Sequence, residues 1–366
     1  MHIRTQRERL IQALAKVGGV VERRLTIPIL GNIHIHADAD FITLTGTDRE
    51  VEIRTRLAAT ILEPGDITVP SRKFIDICRA LPDDVEIGFK VQSQRAAITA
   101  GRSRFNLSTL PASDFPLMES NSGDKSIEIK RGVLKELVDK TAFAMANQDV
   151  RYYLNGLFLK VESRGITAVA TDGHRLAKIE APIDLPLEEI LQIIIPRKTV
   201  LELSRLLESG NEMVQMDMSD RTLGLVMGDT FLTSKLVDGR YPEYERVIPL
   251  MADKLAILER DDLKQSLLRT SILSNEKYKG IRLTFLANEL TIQAHNPEQE
   301  EAEELMEIEY QDEPVTIGFN VGYLLDVLSV IDESRVEVRL VDSNSSALLR
   351  GAGRDDQTYV VMPMLL

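Results

Sequence analysis

The densest set of reactive residue types is Thr171-Asp172-Gly173-His174-Arg175, which puts an acid, a base and a cation side by side. Such a set could move a proton and hold an anion. No serine or cysteine nucleophile is placed with it, and a turn followed by a surface site accounts for the glycine equally well. Thr47-Asp48 matches Thr171-Asp172. A catalytic carboxylate pair needs both acids in one site, whereas a repeat relationship places them in different domains. His34 and His36 share one face of a predicted strand and could hold a metal, but no cysteine or third histidine stands nearby, which favours a core or surface role. Gly351-Ala352-Gly353 lacks a third glycine and a following helix, so it reads as a turn and not as a phosphate loop. Cys78, the single cysteine, lies in the apolar pattern Phe74-Ile75-Asp76-Ile77-Cys78 and reads as a core residue in a reducing cytoplasm. No cofactor and no metal are expected.

The elements that would carry these residues recur. The 366 residues are 43% hydrophobic and 28% charged, enough for two or three globular domains. Met1 to Arg9 is polar and basic, unlike a signal peptide, and Ile190 to Ile195 is far too short to span a bilayer. Leu10, Leu134 and Leu263 each open an amphipathic helix, at spacings of 124 and 129 residues. Alternating patterns over Ile33 to Thr45, Leu157 to Thr171 and Ile281 to Ala294 predict hairpins. Second helices are predicted over Pro70 to Leu81, Pro196 to Leu207 and Asn320 to Ile331, the first two with proline in the first turn. The order implies an α+β chain of three similar domains, 1–123, 124–252 and 253–366, each with two helices backing β-sheets.

Charge is distributed unevenly. Residues 1–24, 72–79, 130–140, 197–205 and 260–269 together carry +11, which against a total of −13 leaves −24 elsewhere. The sixth helix departs from this, with Asp326 as its one charge. Basic helices can face phosphates while the remaining surface repels them, the pattern suited to loose backbone contact without base readout. Glu298, Glu300, Glu301, Glu303, Glu304, Glu307 and Glu309 crowd one segment. Near the end of the first domain Arg102 and Arg104 alternate with Phe105 and Leu107 in strand order. Head-to-tail contact between two copies would pair these edges and could close a ring of six domains.

The chain resembles the bacterial sliding clamp family, the β subunit of DNA polymerase III. The resemblance spans the whole length and rests on residues 28–32 (PILGN), 151–156 (RYYLNG), 171–177 (TDGHRLA), 241–247 (YPEYERV), 273–278 (LSNEKY) and 359–364 (YVVMPM). It implies a non-catalytic processivity factor, a homodimeric ring of six pseudo-equivalent clamp domains around double-stranded DNA. It further implies cytoplasmic location and short-peptide contacts with the polymerase III catalytic subunit, the clamp loader, other polymerases and repair proteins. The implied peptide-binding residues, between the second and third domains, are Leu154, Thr171, Gly173, His174, Arg175, Leu176, Pro242, Arg246, Val247, Asn320, Tyr323, Ser346, Val360, Met362, Pro363 and Met364. Arg175, Arg246 and His174 would fix polar groups of the peptide at the rim. The implied DNA-binding residues are Arg24, Arg72, Lys73, Gln148, Tyr152, Tyr153, Arg197 and Lys198. Those of the ring joint are Arg102, Arg104, Phe105, Leu107, Ile272, Leu273, Glu298, Glu300, Glu301, Glu303 and Glu304. Leu365 stands where the family commonly has arginine, and Asn344 where it is often apolar, so peptide preference could shift. Two other readings compete: an enzyme acting on DNA or nucleotides centred on Asp172 and His174, and a protein-binding scaffold without DNA.

Overall fold

A computed structural model describes residues 1–21, 27–119, 125–249 and 251–365. Six α-helices are present among them: α1 (Arg7–Val17), α2 (Ser71–Ala80), α3 (Arg131–Asp139), α4 (Arg197–Leu206), α5 (Arg260–Ser271) and α6 (Val321–Val330). Each coincides with a predicted helix. Pro70 and Pro196 differ slightly from expectation: each ends the preceding strand, and Pro70 is the N-cap of α2. The proline still starts the helix, because its fixed φ ends strand pairing and costs no helical N–H. The three predicted hairpins form, as Asn32–Asp38 with Phe41–Thr47, Gly156–Glu162 with Gly165–Thr171, and Gly280–Leu286 with Glu289–His295.

The chain divides into two compact units, Met1–Leu134 with Leu201–Leu236, and Lys135–Val200 with Val237–Leu366. The strands of the second sequence repeat are shared between them. In unit 1 one sheet has eight strands, in the order Lys125–Lys130, Met213–Met218, Thr222–Met227, Thr230–Lys235, Val51–Ala58, Phe41–Thr47, Asn32–Asp38, Gly65–Pro70. A five-stranded sheet ends on the edge strand Ser103–Ser108. In unit 2 an eight-stranded sheet runs Leu191–Pro196, Gly156–Glu162, Gly165–Thr171, Arg175–Pro182, Gln357–Val361, Ala347–Gly351, Arg335–Leu340, Lys254–Glu259. A four-stranded sheet ends on the edge strand Glu301–Glu307.

Helix packing follows the apolar spacing. In unit 1, α1 buries Leu10, Ala13, Leu14 and Val17 and packs on α2 and on strands Phe41–Thr47 and Val51–Ala58. In unit 2, α5 buries Leu263 and Leu267 and packs on α6, which buries Leu324, Val327 and Leu328. Each buried leucine or valine among these contributes about 1.5–3 kcal/mol through removal from water. Cys78 is fully buried and free, and burial pushes its thiol up to about 12, so it is an inert core residue. No helix among the described residues is long and apolar enough to cross a membrane.

Candidate functional site

The residues singled out for chemistry turn out to build turns. Thr171 Oγ1 donates to the Arg175 carbonyl (2.6 Å) and accepts from the Gly173 N–H (3.1 Å). Asp172 Oδ1 accepts the N–H groups of His174 (2.9 Å) and Arg175 (3.1 Å), and its Oδ2 accepts from Arg175 Nε (3.1 Å). This is an aspartate-capped turn. Gly173 has φ +88°, a conformation that glycine adopts without strain. The equivalent turn in unit 1 is built alike. Thr47 Oγ1 donates to the Val51 carbonyl, and Asp48 Oδ1 accepts from Glu50 and Val51 (2.8 and 2.7 Å). The shared Thr-Asp dipeptide is therefore a turn signature.

Beside the unit 2 turn lies a cavity of about 160 Å³. Its lining includes Leu154, Thr171, Gly173, Arg175, Leu176, Pro242, Val247, Val360 and Met362, nine of the sixteen residues expected at a peptide site. Beneath it is a buried apolar cluster of Leu154, Phe158, Val169, Leu176, Ile194, Tyr241, Tyr244 and Val360. Tyr241 stacks on Phe158 with ring centroids 4.8 Å apart, which pins the segment carrying Pro242 and Val247 over the sheet. Burial pushes the phenols of Tyr241 and Tyr244 up, so both stay neutral and act as packing groups.

Arg175 is a wall of this cavity and not a free cation at its rim. Its Nη1 donates to Asp326, its Nη2 to the Phe143 carbonyl (2.8 Å), and its Nε to Asp172. The guanidinium also lies over the rings of Tyr323 (4.7 Å) and Phe143 (5.2 Å). The single charge of α6, Asp326, thus serves to hold Arg175. Arg246 is exposed and pairs with Glu243 at 2.5 Å.

The other expected peptide residues lie outside the cavity lining. His174 is exposed and stacks on Tyr323 with centroids 6.1 Å apart. Asn320 caps α6 by accepting from the Gly322 N–H (2.9 Å). Ser346 is half-buried just before the strand Ala347–Gly351, and Pro363 is half-buried in the C-terminal segment. The last residues are anchored by backbone bonds: Met362 N–H donates to the His174 carbonyl and Met364 N–H to the Gly318 carbonyl, both 2.9 Å. Arg151, Tyr153, Glu243 and Tyr244 also line the cavity, although none was assigned to it from sequence. Arg151 holds Asp149 through two nitrogens (3.0 and 2.8 Å), and this pairing takes the Asp149 carboxyl down to about 2. The motif at residues 241–247 names the segment, but only the folded chain puts Glu243 on the cavity lining and Tyr244 in the apolar cluster with Leu176.

Of the residues expected at DNA, Arg72 and Lys73 are exposed on α2, and Gln148 and Tyr152 are exposed on the segment before the strand Gly156–Glu162. Arg197 is half-buried and donates to the Met145 carbonyl (3.1 Å), and Lys198 is half-buried beside it on α4. Tyr153 lines the unit 2 cavity. Arg24 lies outside the described residues. Of the residues expected at a ring joint, Arg104 is exposed on the edge strand Ser103–Ser108 and Arg102 sits in the turn before it. Phe105 is half-buried and Leu107 already buried. Ile272 is 77% exposed. Glu301 and Glu303 point outward from the other edge strand, whereas Glu304 pairs within unit 2 with Arg269 at 2.7 Å. Leu305, 61% exposed between the acids, was not anticipated.

His34 and His36 share one acceptor, Asp66, through Nε2 (2.7 Å) and Nδ1 (2.9 Å). Among the described residues no group of three or more His, Cys, Asp or Glu is arranged to hold a metal ion.

Three domain models of the DNA polymerase III beta subunit match the chain in order: the N-terminal domain over residues 1–119, the central domain over 128–243 and the C-terminal domain over 245–365. The beta sliding clamp of Pseudomonas putida is 50% identical over 367 residues, with both chains fully covered. A crystal structure of the Pseudomonas aeruginosa sliding clamp bound to griselimycin superposes with a TM-score of 0.96 at 50% identity, again over both full chains. The Caulobacter crescentus polymerase III beta structure gives 0.93 at 39% identity and full coverage of both chains. The chain has the three-domain clamp fold and belongs to the DNA polymerase III beta subunit family, the sliding clamps.

Proposed function

We propose that two copies of this chain close head to tail around duplex DNA, and that the unit 2 cavity takes short, partly apolar peptides from the proteins so tethered. A sliding clamp is a processivity factor and not an enzyme. It works by topology: a closed ring cannot leave duplex DNA sideways, so a polymerase bound to it stays at high effective concentration. The observation that supports the peptide reading is the cavity walled by Leu154, Leu176, Val247 and Val360, with Met362 able to adapt to different guests. Its polar groups are spent on turns and on Arg175, which suits recognition of short motifs better than turnover.

The partners in this reading are double-stranded DNA without sequence preference, the polymerase III catalytic subunit, the clamp loader, and other polymerases and repair proteins. The domains are 1–123, 124–252 and 253–366, and the protein works in the bacterial cytoplasm. The joint pairs Arg102 and Arg104 of one copy with the outward acids Glu301 and Glu303 of the other, with Ile272 and Leu273 beside them. No cofactor is needed by the chain itself, and ATP is used by the separate loader.

Griselimycin, bound in the P. aeruginosa structure, is a ready probe. It is expected to bind this chain, and Leu176→Asp is expected to weaken binding by tenfold or more by placing an unpaired charge in the cavity wall. Undiminished binding by the folded variant would place the peptide site elsewhere.

A further inference from the structure

Unit 1 holds a second cavity of about 800 Å³, against about 160 Å³ for the one in unit 2. Its volume falls within the usual range of ligand sites, roughly 300–1,000 Å³. It lies along one face of the eight-stranded sheet, and no residue of the proposed peptide site contributes to it.

The strand registers explain the difference between the cavities. In unit 2 one row of cross-strand neighbours reads Thr171, Leu176, Val360, Leu348, Arg339. The matching row of unit 1 reads Thr47, Glu52, Thr233, Gly224, Asp217. Where Leu176 lines a small pocket, unit 1 has Glu52, which is buried and accepts from Arg54 Nε (2.5 Å) and from the Met118 N–H (2.8 Å). That position is closed by an ion pair. The space opens instead two strands further on, where Gly224 replaces Leu348. A Cβ built on Gly224 would meet only Asp217, at 3.6 Å or more.

The chemistry of this trough is definite. Val226, Phe231 and Leu117 supply apolar surface. Of the trough's two arginines, Arg54 is taken by Glu52, while the Arg56 guanidinium lies 5.3 Å from the centroid of the Phe231 ring and forms no ion pair among the described residues. The other anions are engaged: Asp66 by the two histidines, Asp217 by the Gln215 amide (3.0 and 3.2 Å). Seven adjacent strands contribute to the lining. At a spacing of about 4.8 Å this is a trough of about 29 Å, the reach of roughly nine extended residues. A trough of that length suits an extended chain better than a compact metabolite.

We propose that this trough is a second partner-binding groove, which takes an extended peptide segment of another protein with an apolar side chain over Gly224 and an acidic residue at Arg56. It does not depend on what the unit 2 cavity binds.

The test uses the full chain and two blocked octapeptides with a Leu-Phe centre, one flanked by aspartates and one by asparagines, followed by fluorescence anisotropy. The aspartate peptide is expected to bind at least tenfold more tightly than the asparagine peptide. Gly224→Leu, which fills the trough, and Arg56→Gln, which removes its cation, are each expected to weaken it tenfold or more. Leu176→Asp in unit 2 should leave it unchanged. Arg56→Gln changes an exposed side chain and keeps the test decisive if Gly224→Leu melts early. Equal affinity for both peptides, no binding of either at millimolar concentration, or indifference to Arg56→Gln overturns the proposal. Loss of binding through Leu176→Asp alone would also overturn it, while upholding a peptide site in unit 2.

Discussion

Replacing Arg175 by alanine separates a structural post from a contact residue. The side chain joins Asp172, Asp326 and the Phe143 carbonyl, and lies over two aromatic rings. Its removal leaves Asp172, largely buried, with backbone donors but no cation. Breaking a buried pair costs about 3–5 kcal/mol. Asp326 is half-exposed and water recovers part of that, so the low end, about 3 kcal/mol, is the better figure. For a unit of roughly 200 residues this corresponds to a fall of about 6–12 °C in the unfolding midpoint. Lysine keeps the charge but loses the planar fork that reaches three acceptors and stacks on Tyr323. Arg175→Lys is therefore expected to recover less than half of the loss. Calorimetry of wild type and both variants, with griselimycin titration of each at a temperature where all are folded, makes the comparison. A midpoint within about 2 °C of wild type, with binding lost, would contradict the reading of Arg175 as a wall and return it to the rim.

Three further outcomes are expected. His34 is held below its ordinary value, chiefly by burial, so its contribution to stability is full above about pH 6.5 and declines as pH falls through the lowered value. His34→Phe installs the residue that unit 2 uses at Phe158 and should reduce the fall in midpoint between pH 7 and pH 5; an unchanged slope would count against it. Charge reversal at Arg102 and Arg104 together should weaken the dimer at least tenfold in sedimentation, less in high salt, and an unaltered dissociation constant would refute the pairing with the outward acids. Deleting residues 362–366 should abolish griselimycin binding and leave the dimer intact, because Met362 lines the cavity while the edge strands are untouched; full binding by the truncated chain would place the site elsewhere.

The elements were legible in sequence because period and punctuation agree in them. All six helices and three hairpins carry their apolar residues at the spacing that their burial requires. The division into two units was not legible, because it depends on which edge strands pair: Lys125–Lys130 joins the sheet of unit 1 while Gly156–Glu162, from the same repeat, joins that of unit 2. Residue types showed an apolar pocket with polar neighbours, but not which polar atoms are already engaged. Arg175 could be named from its motif, and only its contacts with Phe143 and Asp326 show that it has little left to offer a guest. The same holds for Glu304, which belongs to the acidic run by composition and to Arg269 by contact. The large unit 1 cavity had no sequence signal at all, since it arises from Gly224 and Thr233 standing where unit 2 has Leu348 and Val360.

Encirclement is tested most directly by loading the chain, with a clamp loader and ATP, onto a nicked circular duplex and passing the complex over a gel-filtration column in moderate salt. The protein should run as a dimer of about 82 kDa when free (twice 41.1 kDa). It should stay with the circle and fall off once a restriction enzyme linearises it. Equal retention on circular and linear DNA, or release from both, would contradict the topological link.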